Sequence, residues 1–159
     1  MKVEESIIIN RSPDDVFAFL TARNNDPVWM AAVIESEWLD LAAGDTDAPM
    51  RVGRRGRMVM KNMGRRQEYV DEVTDYQPGR RIAHRTVEGP IQLNTACLTE
   101  PAGDGCRATV VGETDNFIGG PFGKLANPIV ARLVSRGFRA DLAKLKDLLE
   151  AETRPTGDE

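Results

Sequence analysis

Hydrophobic and polar residues alternate in short runs through most of the chain, and near residue 121 the pattern changes to a helical period. Residues 3–9 are rich in β-branched side chains and predict an opening strand. Ser12, Pro13 and two following acids predict the start of a short helix, because serine caps helix N-termini and proline fits the first helical position. The predicted buried stripe of this helix is Val16, Phe17 and Leu20.

The middle of the chain predicts a meander of antiparallel strands. Residues 33–41 predict one strand, and three hairpins are predicted after it because strand-like runs are separated there by turn-forming residues. The paired runs are 52–61 with 66–75, 68–76 with 81–87, and 91–99 with 106–115.

A long amphipathic helix is predicted over residues 121–151, where apolar residues recur every three or four positions. Pro128 lies inside this pattern and predicts a kink or a break near Asn127, since proline cannot donate the helical hydrogen bond. Residues 153–159 are a polar tail, so we expect a single domain over residues 1–152.

The order of these elements predicts an α+β fold, with a strand, two short helices, antiparallel strands and a long C-terminal helix. In such folds the helices cover one face of the sheet. One helix cannot fill the concave side of a curved sheet, so we expect a cavity between the two, where small ligands commonly bind.

The composition is that of an ordinary globular domain, with 41% hydrophobic and 29% charged residues. The apolar run 7–9 is too short for a signal peptide or a membrane span, so we expect a cytoplasmic protein without a membrane span. One histidine and two cysteines are too few for an ordinary structural zinc site. Phosphate loops and dinucleotide fingerprints are missing from the sequence, so we expect neither a metal nor a cofactor.

The net charge of −4 conceals a basic segment, because residues 51–66 contain seven Lys or Arg and no acid. Such a stripe can attract nucleic acid or an anionic ligand. It alternates with Gly, Met and Val, and the rest of the chain is acidic. We therefore interpret it as a solvated sheet face paired with acids on neighbouring strands, and we expect no nucleic-acid partner.

Several short motifs occur in an order that resembles a known family. They are residues 12–17, 51–53, 72–82, 98–107 and 141–150. In this order they resemble the polyketide cyclase/dehydrase-like branch of the START-related (SRPBCC, Bet v 1-like) superfamily. The resemblance implies a helix-grip fold, in which a curved seven-stranded antiparallel sheet wraps around the C-terminal helix and encloses a deep hydrophobic tunnel. Functions in this superfamily range from lipid transfer to aromatic polyketide cyclisation, so the resemblance locates a site without fixing its chemistry.

Two turns set the expected strand registers. If Met63-Gly64 and Pro78-Gly79 are two-residue hairpin loops, each residue of one strand has a defined partner on the next. One face of these strands then collects the apolar residues, while the other collects the charged residues and must be the solvent side. The expected opposing pairs are Met58 with Tyr69, Val73 with His84, and Asp71 with Thr86.

The apolar face also carries two polar residues, Asp71 and His84. On this register they are diagonal neighbours within reach of a hydrogen bond. A carboxylate that orients an imidazole is an arrangement used by general bases, whereas the simpler interpretation is a hydrogen-bonded pair in a cavity without any reaction. The predicted ligand-contacting residues, several of them placed by the resemblance, are Trp29, Met58, Met60, Tyr69, Val73, Ile82, Phe122, Leu125, Ile129 and Leu133.

Three hypotheses follow from these features. The leading one is a binding or carrier protein for a small apolar or aromatic, polyketide-like molecule. The alternative is a cofactor-independent cyclase or dehydratase, in which His84 oriented by Asp71 moves a proton. The third is an interaction protein whose cavity is merely collapsed core. The sequence names neither the ligand nor the oligomeric state, and a homodimer stays open.

The basic segment gives the first testable prediction. We expect micromolar protein to leave the electrophoretic mobility of DNA and RNA unchanged, because the arginines face acids on neighbouring strands. A salt-dependent mobility shift that disappears when Arg55, Arg57 and Arg66 are replaced by alanine would contradict this interpretation.

Overall fold

The computed structural model describes residues 1–40, 48–114 and 123–152, and for residues 123–126 it describes the backbone alone. The strands in this part of the chain are β1 Lys2–Ile9, β2 Val33–Trp38, β3 Arg55–Asn62, β4 Arg65–Gln77, β5 Arg81–Glu88, β6 Asn94–Ala102 and β7 Gly105–Glu113. The helices are α1 Pro13–Thr21, α2 Asp26–Trp29 and α3 Gly123–Ala151, and a 3-10 turn Arg23–Asn25 joins α1 to α2.

The seven strands form one antiparallel sheet in the order β1-β7-β6-β5-β4-β3-β2. The sheet curls around the long helix α3, and the two short helices follow β1, which confirms the predicted α+β helix-grip class. We call the side toward α3 the concave face and the opposite side the outer face. No helix in the described ranges is long and apolar enough to cross a membrane.

Helix α1 begins as the sequence predicts. The Ser12 side chain accepts a hydrogen bond from the Asp15 backbone N–H at 3.1 Å, and Pro13 occupies the first turn. These contacts satisfy a backbone donor that a helix start leaves free.

The hairpin between β3 and β4 has the predicted register. Met58 lies opposite Tyr69, and the loop Met63-Gly64 has φ angles of 50° and 78°. Positive φ at both loop positions matches the twist of antiparallel strands, which favours this register.

The hairpin between β4 and β5 has the predicted pairing of Val73 with His84, but its loop length differs from the prediction. Gln77 lies opposite Arg81, so the loop has three residues and not the two that were expected. A register shift between Val73 and Asp75 compensates for the longer loop, and Val73 therefore lies opposite His84 as predicted. An extra residue in one strand is the usual geometry of a β-bulge.

Helix α3 is continuous from Gly123 to Ala151, so of the two predicted outcomes near Asn127 the break is wrong, and the kink stays a prediction. Pro128 lies in the second helical turn, where it removes a single backbone hydrogen bond, and the residues after it make an uninterrupted amphipathic helix. The Phe138 ring packs on Gly112 of β7. Ile129 precedes Phe138 by nine residues, which is half a turn of rotation, so Ile129 points away from the sheet.

The C-terminal half of α3 holds the main core. Leu142, Leu145 and Leu149 are almost completely buried against β1, β7, α1 and α2. The other buried members of this cluster are Ile9, Val16, Leu20, Trp29, Cys106 and Ala108.

The basic segment lies largely on the outer face, as predicted. Arg57 makes hydrogen bonds of 2.9 and 3.0 Å to both Glu68 oxygens, and it also bonds Glu35. Arg55 pairs with Glu72 at 3.2 Å. Arg54, however, is directed inward and is 3% exposed, so one member of the segment departs from the solvated interpretation.

The core gives a prediction with a matched control on the same helix. We expect Leu145→Ala to lower the free energy of unfolding by about 2–5 kcal/mol, because it removes buried methyl groups and leaves a cavity. Leu133, on the same helix, is 68% exposed, so Leu133→Ala should change stability by less than about 0.5 kcal/mol. Urea unfolding measures both variants, and equal losses would contradict the packing of α3.

Candidate functional site

The concave face of β3, β4 and β5 contains the predicted polar pair. His84 lies opposite Thr95, and Thr95 lies opposite Gly112. Because Phe138 of α3 packs on Gly112, this row of residues faces the helix. Asp71 lies on the same face, since it occupies the strand position two residues before Val73, the partner of His84.

Asp71 is bound to an arginine that sequence reasoning missed. Arg23 comes from the 3-10 turn after α1, is 6% exposed, and donates from Nη2 to the Asp71 carboxylate. Its Nη1 lies 3.5 Å from the Ser36 hydroxyl of β2. Gly56 makes room for this contact, because a Cβ at position 56 would overlap the Arg23 guanidinium.

The predicted hydrogen bond between Asp71 and His84 is not formed. Among the described residues, the side-chain donor to the Asp71 carboxylate is Arg23. A guanidinium is a permanent cation, so its bond to a carboxylate is stronger than that of a neutral imidazole. Asp71 therefore acts on His84 through its charge alone.

Asp26 is a second carboxyl group beside Arg23, and we call Arg23, Asp26, Ser36, Asp71 and His84 around Trp38 the polar cluster. Asp26 is 6% exposed, and its Oδ2 accepts from the Ser36 hydroxyl at 2.7 Å. Burial raises the pKa of Asp26 to about 6, although the Ser36 bond and the Arg23 charge act in the opposite direction. The indole N–H of Trp29 lies near this carboxyl, but it makes no hydrogen bond of normal geometry within the described part of the chain.

His84 is half-buried, and its imidazole is held in the neutral form. Burial lowers the pKa of His84 to about 4; the nearby Asp71 charge raises it and the Arg23 charge lowers it. At neutral pH the ring therefore offers one N–H donor and one nitrogen acceptor.

Trp38 of β2 lies at the centre of these groups. The guanidinium carbons of Arg23 and Arg54 lie 4.5 and 4.3 Å from the centroid of its ring, within range for cation–π attraction. The His84 ring centroid lies 6.3 Å from that of Trp38. Arg54 bonds Asp40 at 2.9 Å, while its buried Nη2 has no hydrogen-bond partner among the described residues.

The predicted ligand-contacting residues lie in three different environments. Trp29, Val73 and Ile82 are packed in the core, and none is more than 2% exposed. Tyr69 is also buried. Met58 and Met60 are half-buried on the concave face beside the polar cluster. These two methionines therefore present apolar surface that the described core does not fill.

The predicted residues of α3 do not join this group. Ile129 and Leu133 are 69% and 68% exposed, and the helical rotation places Ile129 on the side remote from the sheet. Phe122 and the Leu125 side chain lie outside the described residues.

A groove of about 400 Å³ lies elsewhere, on the outer face of β1, β7 and β6. Its floor includes Ala96, Leu98 and Val111, and charged residues form its rim. It does not contact the cluster around Trp38. Within the described residues, no three His, Cys, Asp or Glu side chains are grouped closely enough to hold a metal ion.

Comparison with known proteins identifies the family of this chain. Residues 1–150 match the family described as polyketide cyclase/dehydrase and lipid transport. The chain belongs to this family. No curated protein matches the sequence significantly.

Solved structures share the fold of this polyketide cyclase/dehydrase family member at low sequence identity. A protein of Thermus thermophilus is 18% identical with a TM-score of 0.76, over 97% of this chain and 100% of the other. The Zhui aromatase/cyclase of Streptomyces sp. R1128 is 17% identical with a TM-score of 0.75, over 100% and 99%. A START superfamily protein of Mycobacterium smegmatis is 16% identical with a TM-score of 0.73, over 96% and 99%.

Asp26 and His84 should give opposite pH dependences of stability. The folded chain holds the Asp26 proton more tightly than the unfolded chain does, so this group lowers stability as pH rises from about 4 to 6. The folded chain holds the His84 proton less tightly, so this group raises stability over nearly the same interval. The two contributions partly cancel in the wild-type protein.

Replacing either residue should therefore leave the pH dependence of stability that the other residue causes. Relative to wild type, Asp26→Asn should gain up to about 3 kcal/mol of unfolding free energy between pH 4 and pH 7, and His84→Gln should lose stability over the same range. Urea unfolding at several pH values measures both slopes. Parallel pH profiles for the wild-type protein and both variants would contradict the buried, shifted titrations.

Proposed function

We propose that this protein binds and carries a small apolar or aromatic, polyketide-like molecule on the concave face of its sheet. The observation that carries the proposal is the pair of half-buried methionines, Met58 and Met60, on that face beside the polar cluster. Methionine surface adapts to irregular ligands, and a few fixed polar groups beside it orient them. The family assignment supports the same class of ligand.

The packing of helix α3 is compatible with a ligand on the concave face of the sheet. Its C-terminal half packs against β1 and α2, and Phe17 of α1 covers Val73 and Ile82. Among the described residues, this packing leaves Met58 and Met60 of β3 partly exposed. A ligand lying along β3, β4 and β5 would contact Met58 and Met60 with its apolar part and His84 with its polar part.

A cyclase or dehydratase activity is the second candidate, and the pKa of Asp26 favours it. A carboxyl with a pKa of about 6 can exchange a proton near neutral pH, as a general acid or base must. The sequence alone points to His84 oriented by Asp71 as the base. That base is weak, because the His84 pKa is about 4 and the Asp71 carboxylate is bound to Arg23. Binding without reaction is therefore the better-supported function.

The proposal also includes a cytoplasmic location and no nucleic-acid partner. The second point is supported by the outer-face arginines, because Arg55, Arg57 and Arg66 each have a carboxylate partner. A homodimer is compatible with the proposal and is not needed for it.

The proposal predicts where an apolar fluorescent probe such as anthracene binds. We expect Met58→Trp to change the probe's affinity by at least about fivefold, because the larger side chain fills space on the concave face. Ile129→Trp is the matched control and should leave the affinity unchanged, since Ile129 points away from the sheet. Unchanged affinity in Met58→Trp, with the circular dichroism of the folded protein retained, would place the site elsewhere.

His84→Ala separates the two candidate functions. Under the carrier function, this variant weakens or alters binding and no turnover of an aromatic polyketide precursor is seen in the wild-type protein. Turnover by the wild-type protein that disappears in His84→Ala or in Asp26→Asn, while binding persists, would establish the cyclase function instead.

A further inference from the structure

The two guanidinium groups that lie over Trp38 are already paired within the protein. Arg23 and Arg54 are the deeply buried cations in the described part of the chain, with 6% and 3% of their surface exposed. Arg23 is bound by the Asp71 carboxylate, and Arg54 is bound by that of Asp40. A ligand anion that reaches Trp38 therefore meets no guanidinium that lacks a carboxylate.

The remaining buried charge at this place is negative. Asp26 lies beside the Arg23–Asp71 pair and is hydrogen-bonded to Ser36, so two carboxyl groups share one guanidinium. A carboxylate brought to the same place would be repelled by them and would lose its hydration. Neither cost applies to an uncharged group.

Uncharged hydrogen-bonding groups do find partners around Trp38. The neutral His84 ring has one donor and one acceptor. Within residues 1–40, 48–114 and 123–152, the buried Arg54 Nη2 has no hydrogen-bond partner, and a buried unpaired donor is unfavourable until an acceptor reaches it.

From these contacts we infer that the site accepts ligands whose polar end is an uncharged hydroxyl or keto group and rejects those that end in a carboxylate. This inference rests on the proposed function and adds the chemical class of ligand. The inference predicts that the site binds apolar phenols, enols and ketones and that it rejects free fatty acids and aromatic acids.

Two ligands with the same ring system test the inference. We would measure the dissociation constants of 2-hydroxyanthracene and anthracene-2-carboxylate at pH 7 by fluorescence titration. An ionised carboxylate is also better hydrated than a hydroxyl group, so a wild-type preference for the hydroxyl ligand is necessary but is not sufficient by itself. The decisive quantity is the change in the ratio of the two constants when one buried carboxylate is neutralised.

Asp71→Asn should shift this ratio toward the carboxylate ligand by about tenfold, because it leaves the Arg23 cation unpaired. Asp26→Asn removes a neighbouring negative charge without unpairing Arg23, so it should shift the ratio in the same direction, and it serves if Asp71→Asn does not fold. Glu72→Gln is the control, since Glu72 pairs with Arg55 on the outer face, and it should leave the ratio unchanged.

The outcomes are distinguishable. If both ligands bind the wild-type protein and neither Asp variant changes the ratio relative to Glu72→Gln, the inference is overturned while the proposed function survives. Tighter wild-type binding of the carboxylate ligand overturns the inference in the same way. If neither ligand binds the folded wild-type protein, the proposed function itself fails.

Discussion

The ion pair between Arg23 and Asp71 is the contact on which the candidate site depends. It joins the turn after α1 to the middle of β4, and through Ser36 it also reaches β2 and Asp26. A buried guanidinium is tolerated only where a carboxylate neutralises it and the surrounding groups accept its hydrogens. The pair therefore holds three separate parts of the chain around Trp38.

This arrangement explains why the histidine is a weak base. The Asp71 carboxylate could have stabilised a protonated imidazole, but its strongest partner is the arginine. Burial then dominates at His84 and keeps the ring neutral. The same burial, acting on a carboxyl group at Asp26, keeps a proton bound until about pH 6. One environment thus reduces the charge of an acid and of a base, as expected where water is largely excluded.

Much of the fold could be predicted from the sequence, because neighbouring residues determine where its helices begin and how its hairpins pair. Ser12 and Pro13 start α1 by capping, and the Met63-Gly64 loop fixes the register of β3 and β4. The Pro78-Gly79 pattern predicts a β4–β5 loop one residue shorter than the observed one, yet it predicts the correct faces, because the bulge after Val73 offsets the difference. Local patterns cannot reveal such a compensation, since either change alone would have reversed the faces.

The site was less predictable because its central contact spans 48 positions of the chain. Arg23 lies in a short polar turn, where an arginine ordinarily faces solvent. The available signal was Gly56, a glycine inside a strand between two arginines, which indicates a close approach by another group. The α3 candidates were placed by the resemblance, and helical rotation shows that Ile129 points the wrong way.

The contact between Phe138 and Gly112 sets the clearance between the helix and the sheet. A Cβ on residue 112 would lie 3.0 Å from the Phe138 ring, so even alanine there would oblige the ring to shift. Gly112 lies in the same cross-strand row as Thr95 and His84. The absence of a side chain at residue 112 thus lets α3 lie as close to the sheet as the Phe138 ring allows. A larger residue at this one position would increase the distance between helix and sheet, and with it the depth of the concave side.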